Sequence, residues 1–228
     1  MKLRYIFVII FLAIFLILTY LVSTHTKLDA KAIYSESNDK YDMKNLKENN
    51  EKYNIDIYYP NTSFDLLNTD IKAKLQKIVE DFKSKADFEH DNSYTLQVSF
   101  DCYEYKNYMS FAFNVFTDVG GAHPNTITFT INYDIKNNKI IDIVELTKIY
   151  KDVLKVFSTN SYNSLKDDKS ITEYGNEDML KVGVEEKTDN FKNFVFDKNY
   201  IIIFFNQYDV APYVSGSFVV KIPYSELE

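Results

Sequence analysis

Three successive runs in the middle of the chain alternate apolar and polar residues with period two. Leu96, Val98, Phe100 and Cys102 interleave with Gln97, Ser99 and Asp101, and Met109, Phe111, Phe113 and Val115 interleave with Ser110, Ala112 and Asn114. In the third run Ile127, Phe129, Ile131, Tyr133 and Ile135 interleave with Thr126, Thr128, Thr130, Asn132 and Asp134. Each run offers one apolar face to a core and one polar face to water, the pattern of an antiparallel sheet covered on one side. Lys106-Asn107 and the stretch Gly120 to Asn125 are short enough to join neighbouring strands, and Asn137-Asn138 suits a tight turn because Asn accepts left-handed backbone angles. The turn leads into Ile140 to Val144, so a four-strand meander is predicted.

Around the meander the periodicity changes. Tyr53 to Pro60 has strand character and ends at proline. Asn68 or Thr69 then caps a predicted helix with Asp70 in its first turn and Ile71, Leu75, Ile78, Val79 and Phe82 on one face. Ile149, Val153, Leu154, Val156 and Phe157 mark a second helix and Met179 to Glu186 a third, with the polar link KDDKS between them. Strands return in VFDKNYIIIFFNQY and SGSFVVKIPYSELE. Helices mixed with antiparallel strands place the domain in the α+β class, a meander sheet packed against helices.

The N-terminal pattern sets the expected compartment. Lys2 and Arg4 precede Tyr5 to Val22, an unbroken run of 18 uncharged, mostly apolar residues. That exceeds the roughly 7 to 15 residues of a signal-peptide core and fits the roughly 17 to 25 of a spanning helix. Ala30-Lys31-Ala32 resembles a cleavage site but lies well past the run, so an uncleaved anchor is expected, with secretion the alternative. The positive residues before it put the N-terminus inside and the rest outside the cytoplasm. The expected organisation is a cytoplasmic stub at 1–4, an anchor at 5–22, a polar tether at 23–50 and an extracytoplasmic domain at 51–228, divisible into lobes at 51–118 and 119–228.

Composition sharpens this picture. Nineteen Tyr and 18 Phe with no Trp fit half-buried pleated surfaces. The formal charge is −7, and removing Lys2 and Arg4 leaves −9 for the exported part. No clustered basic surface marks a nucleic-acid binder, whereas an acidic domain favours encounter with a basic partner. The single cysteine, Cys102, excludes an intrachain disulfide, and its place in a strand reads as a small buried hydrophobe.

Candidate chemistry is sparse. Of three histidines, His25 sits next to the apolar run, His90 in a polar turn, and only His123 near acids. Asp118 and His123 supply at most two metal ligands, and zinc normally takes three or four from the protein. Asp118, Asp134, Asp142 and Glu145 offer carboxylates without a distinguishing spacing, and no activated Ser or Cys motif occurs. No catalytic residue, metal or cofactor is therefore expected. Binding is the stronger candidate: in NQYDVAPYVSG, Tyr208 and Tyr213 lie in a loop between strong strands with Asp209, and tyrosine joins a stacking face to a polar tip. Asp118, His123 and Asn125 are the other candidate binding residues, while Gly120, Gly121 and Pro124 read as a structural corner.

GGAHPN, its threonine-rich strand and IIDIVELT, together with the ending FFNQYDVAPYVSGSFVVKIPYSEL, resemble the exported domain of two groups of bacterial envelope proteins. These are the lysozyme-sensing anti-sigma-V factors and the N-terminal region of peptidoglycan N-acetylmuramic acid deacetylases. The likeness covers about Glu51 to Glu228. Two departures bound it: residues 1–4 are too short for a sigma-binding segment, and Asp167-Asp168 lacks the context of a deacetylase metal site. The resemblance implies the shared module on an anchor, recognising a lysozyme-like protein or the peptidoglycan glycan. A peptidoglycan-modifying enzyme using His123 and nearby carboxylates, and a scaffold for an envelope enzyme or sensor, are the alternative readings.

Overall fold

Short loops and strong alternation give the chain a layered α+β architecture. The computed structural model describes residues 40–85, 94–174 and 177–227. The stub, the apolar run, the tether up to residue 39, His25 and His90 lie outside them. Among the described residues no helix is long and apolar enough to cross a membrane.

The first sheet has the order β1 (Tyr41–Asn49), β2 (Tyr53–Thr62), β3 (Tyr94–Tyr105), β4 (Tyr108–Asp118), β5 (Asn125–Asp134) and β6 (Lys139–Ile140). β3 to β6 are the antiparallel meander that the alternation predicts, with Phe113 facing Phe100 on one side and Phe129 on the other. The β2–β3 pair is parallel instead, from Tyr53 opposite Tyr94 to Ile57 opposite Val98, because helix α1 (Asp65–Lys85) carries the chain back over the sheet. Pro60 does not end β2, which runs on to Thr62; the pairing with β3 stops at Ile57, so on that side no ladder bond asks for the proline's missing N–H.

Nine residues assigned to the tether form strand β1. Its side chains are almost all exposed, so no hydrophobic pattern announces it. Polar contacts hold it: Asn45 donates to Asp56 at 2.7 Å, and Lys83 of α1 donates to Glu48 at 2.7 Å.

α1 starts earlier than a cap at Asn68 or Thr69 would allow. Asn68 lies inside the helix, and its amide closes on the end of β2, accepting from Thr62 N at 2.8 Å and donating to Thr62 O at 2.8 Å. Leu67, Ile71, Leu75 and Phe82 form its buried stripe against the inner face of the sheet. Ile140 to Val144 is a strand for only one residue pair, because Asp142 caps helix α2 (Ile143–Ile149) by accepting from Glu145 N at 2.8 Å. A left-handed Asp152 (φ 59°) separates α2 from α3 (Val153–Leu165), dividing what the sequence reads as one helix. α4 (Lys169–Tyr174) lies partly in the supposed KDDKS link, and α5 (Glu177–Gly183) follows.

The second sheet, β7 (Phe194–Phe196), β8 (Tyr200–Phe205) and β9 (Phe218–Pro223), is antiparallel in that order. One face packs with α2 to α5 around Phe157, Phe191, Ile201, Ile203 and Phe205. The other face, through Val195 and Ile202, packs on Ala112 of the meander. The meander is therefore covered on both sides, and β4 is buried on both faces from Met109 to Phe113. β7 lays its outer edge on the polar side chains of that face. Ser110 Oγ accepts from Phe196 N at 3.1 Å, Thr130 Oγ1 accepts from Phe194 N at 3.1 Å, and Asn132 donates to Phe194 O at 2.9 Å. Residues 43–228 form one compact unit, and a division at 118/119 would cut the β4–β5 pair within it. Cys102 is half-buried rather than enclosed, since it sits toward the far end of β3.

Candidate functional site

The β4–β5 connection is a corner with one indispensable glycine. Gly120 is left-handed (φ 72°), and a Cβ there would sit 2.9 Å from the ring of the buried Tyr94. Gly121 has neither constraint, so the glycine pair is one structural position and one open one. Asp118 fixes the turn by accepting from Gly120 N at 3.1 Å. Residues 120–127 are all exposed, and Asn125 opens β5 opposite Thr117.

On this corner the second loop closes. His123 and Tyr213 stack with ring centroids 3.7 Å apart and planes 25° apart. Tyr213 OH donates to Pro124 O at 2.8 Å across 89 residues of sequence. The same carbonyl lies 3.2 Å from His123 Nδ1, and since a carbonyl only accepts, Nδ1 carries the hydrogen. Tyr208 lies 6.0 Å from Tyr213, tilted by 38°. The two loops thus join three of the candidate residues into one aromatic ladder, with Tyr208 57% and Val214 65% exposed at its outer side.

The Tyr208 loop is held from beneath. Asp209 accepts from Asn206 N at 2.6 Å. Burial pushes its carboxyl above the ordinary range, while the Asn206 N–H and the Lys192 charge pull the other way. Gly183, at the end of α5, touches the loop so closely that a Cβ would stand 2.0 Å from Asp209 O. Asn206 ties the loop to β5, accepting from Thr128 N at 2.6 Å and donating to Thr128 O at 3.0 Å. Asp209 is therefore a support of the loop, not a member of the ladder. Asn206, Tyr94 and Gly183 are positioning residues that the sequence reading passes over. Asn206 was legible: it continues the alternation of Ile202 and Phe204, the face that meets the meander.

The arrangement suits recognition rather than acid–base chemistry. The imidazole is stacked and bonded to backbone, and the carboxylates of Asp118 and Asp209 are bonded to backbone N–H groups rather than to it. Among the described residues no three His, Cys, Asp or Glu side chains converge as a metal site.

Comparison with known proteins follows this geometry. Residues 123–225, beginning at His123 itself, match the family described as "Protein of unknown function (DUF3298)". The peptidoglycan-N-acetylmuramic acid deacetylase PdaC of Bacillus subtilis (strain 168) is 28% identical over 188 residues, which is 80% of this chain and 40% of that protein. The chain spans less than half the length of that relative. Crystal structures of DUF3298 family proteins share the fold. One from Bacteroides fragilis NCTC 9343 has a TM-score of 0.53 at 19% identity over 82% of this chain and 90% of its own. One from Pseudomonas aeruginosa PAO1 has a TM-score of 0.56 at 15% identity over 82% and 91%.

Proposed function

We propose that the chain is a membrane-anchored, extracytoplasmic recognition domain of the bacterial envelope that docks on a basic, lysozyme-like protein through the His123–Tyr213–Tyr208 corner. The observation that carries this reading is the stack of His123 on Tyr213, which builds one projecting aromatic surface from two loops distant in sequence. Aromatic rings with polar tips bury large area at little entropic cost and are enriched where proteins bind. The formal charge of −9 beyond residue 22 supports a cationic partner. The relation to a peptidoglycan deacetylase supports the envelope setting. Its deacetylase activity is not proposed for this chain, which spans 40% of that protein.

The test is capture of hen egg-white lysozyme by the full chain in detergent micelles, alongside sedimentation with insoluble peptidoglycan. Wild-type protein is expected to retain lysozyme. Tyr213→Ala and Tyr208→Ala, with unchanged melting, should weaken retention at least about tenfold, the loss of a central aromatic contact. Failure of wild type to bind lysozyme sinks the reading, as does full binding by both variants. Sedimentation with peptidoglycan that depends on Tyr213 would reassign the corner to the glycan.

A further inference from the structure

The outer face of the meander continues beyond the point where the second sheet leaves it. The rows Ala112–Thr130 and Ser110–Asn132 lie under β7. Asn206 then clamps Thr128, and with it the second sheet stops over the row Ser99–Asn114–Thr128. The next row runs Asp56–Gln97–Phe116–Thr126, and among the described residues no strand of the second sheet bonds to it. Strand alternation puts these side chains on one face, while Leu96, Val98 and Val115 point into the core beneath them. Gln97, Ser99 and Thr126 are exposed, and Asn114 and Phe116 half-buried.

This shelf has an unusual chemistry for so charged a chain. From β3 to β5 these two rows hold one ring, two amides and three hydroxyls, and on the β2 side the second row runs into Asp56, which pairs with Lys47 at 3.4 Å. Thr128 donates to Asn114 at 3.0 Å, but among the described residues the side chains of Gln97, Ser99 and Thr126 make no hydrogen bond. Neighbouring strands lie about 4.8 Å apart, so the open groups flank the Phe116 ring at sugar-ring dimensions. Asp101 at one end and Asp118 at the other repel a polyanion. The lone ring is too little apolar surface for the core of a protein interface, which is rich in aromatic and aliphatic groups.

We infer that this shelf binds a neutral glycan bearing acetamido groups. One sugar stacks its C–H face on Phe116, and its hydroxyl and acetamido groups meet Gln97, Ser99 and Thr126. The assignment rests on the envelope setting proposed above but not on the aromatic corner, which uses different residues.

The probe is the hexamer of β-1,4-linked N-acetylglucosamine, titrated calorimetrically into the full chain in detergent micelles, with polyphosphate as the anionic control. Wild type should bind the hexamer saturably and leave polyphosphate unbound. Phe116→Ala should lose binding. The double variant Gln97→Ala/Thr126→Ala, at exposed positions that leave the core intact, should weaken it about tenfold, the effect of about two hydrogen bonds. Tyr213→Ala should bind the hexamer as wild type does. The inference is overturned if wild type ignores the hexamer, if the double variant binds as wild type, or if Tyr213→Ala alone abolishes binding. Lysozyme capture is read on Tyr208 and Tyr213, so either proposal can fail while the other stands.

Discussion

Tyr208 has a backbone φ of 70°, a left-handed conformation that costs a residue with a Cβ roughly 1–2 kcal/mol. The turn enforces it: Tyr208 N donates to Ala211 O at 3.1 Å, Asp209 N donates to Asn206 O at 3.0 Å, and α5 presses from beneath at Gly183. A strained, exposed tyrosine beside a stacked pair supports the proposal that its ring serves a contact outside the fold. Tyr208→Gly should therefore leave unfolding free energy unchanged or raised by up to about 1 kcal/mol, once relief of strain is set against glycine's own entropy, while lysozyme capture falls. Urea denaturation measures the first part, and a loss of more than about 1 kcal/mol would show that the ring works inward. At this scale the sequence singled out side chains that the fold does bring together, since His123, Tyr208 and Tyr213 all lie at the corner. It did not expose their contact, because the Tyr213–Pro124 bond spans 89 residues and no local pattern encodes it.

The elements meet along a seam of hydrogen bonds. β7 is the edge of its sheet, and an unpaired edge invites aggregation. Here the edge is sealed by Ser110, Thr130 and Asn132, residues whose alternation reads as facing water. The period correctly divided each strand into two faces, but it cannot say what covers the polar one. Small and hydroxylated residues at Ser110 and Ala112 let a second sheet approach where larger ones would hold it away. Ser110→Ala should strand the buried Phe196 N–H and cost about 1–3 kcal/mol in urea denaturation, against a few tenths for an exposed Ser→Ala on the same sheet such as Ser99. Equal effects would mean that the seam is packing alone. β1 was illegible for the opposite reason: its side chains are exposed and charged, so its sequence resembles a tether while its backbone completes a sheet.

Across the whole molecule, charge and aromatic surface play different parts. In the proposed docking, the formal charge of −9 beyond residue 22 would act at long range on the approach of a basic partner, and the corner would act on contact. Raising ionic strength from about 0.1 to 1 M shortens the Debye length from about 10 to 3 Å. Association of lysozyme should slow at least about tenfold while dissociation changes little, as expected when steering and contact are separate. Tyr213→Ala should do the reverse. Surface plasmon resonance on the two proteins measures both, and a salt-independent association rate would remove charge from the recognition.

By itself the sequence determined the strands of the meander, the apolar stripe of α1, the acidic balance and the residues of both loops. These rest on period, propensity and composition, which act between near neighbours. Only the tertiary structure decided that the second sheet seals its edge on the meander's polar face, that β1 joins the sheet, and that GGAHPN meets the tyrosine-proline loop. Each of those depends on backbone groups finding partners far along the chain. The first loop becomes a surface when Tyr213 closes on the carbonyl of Pro124.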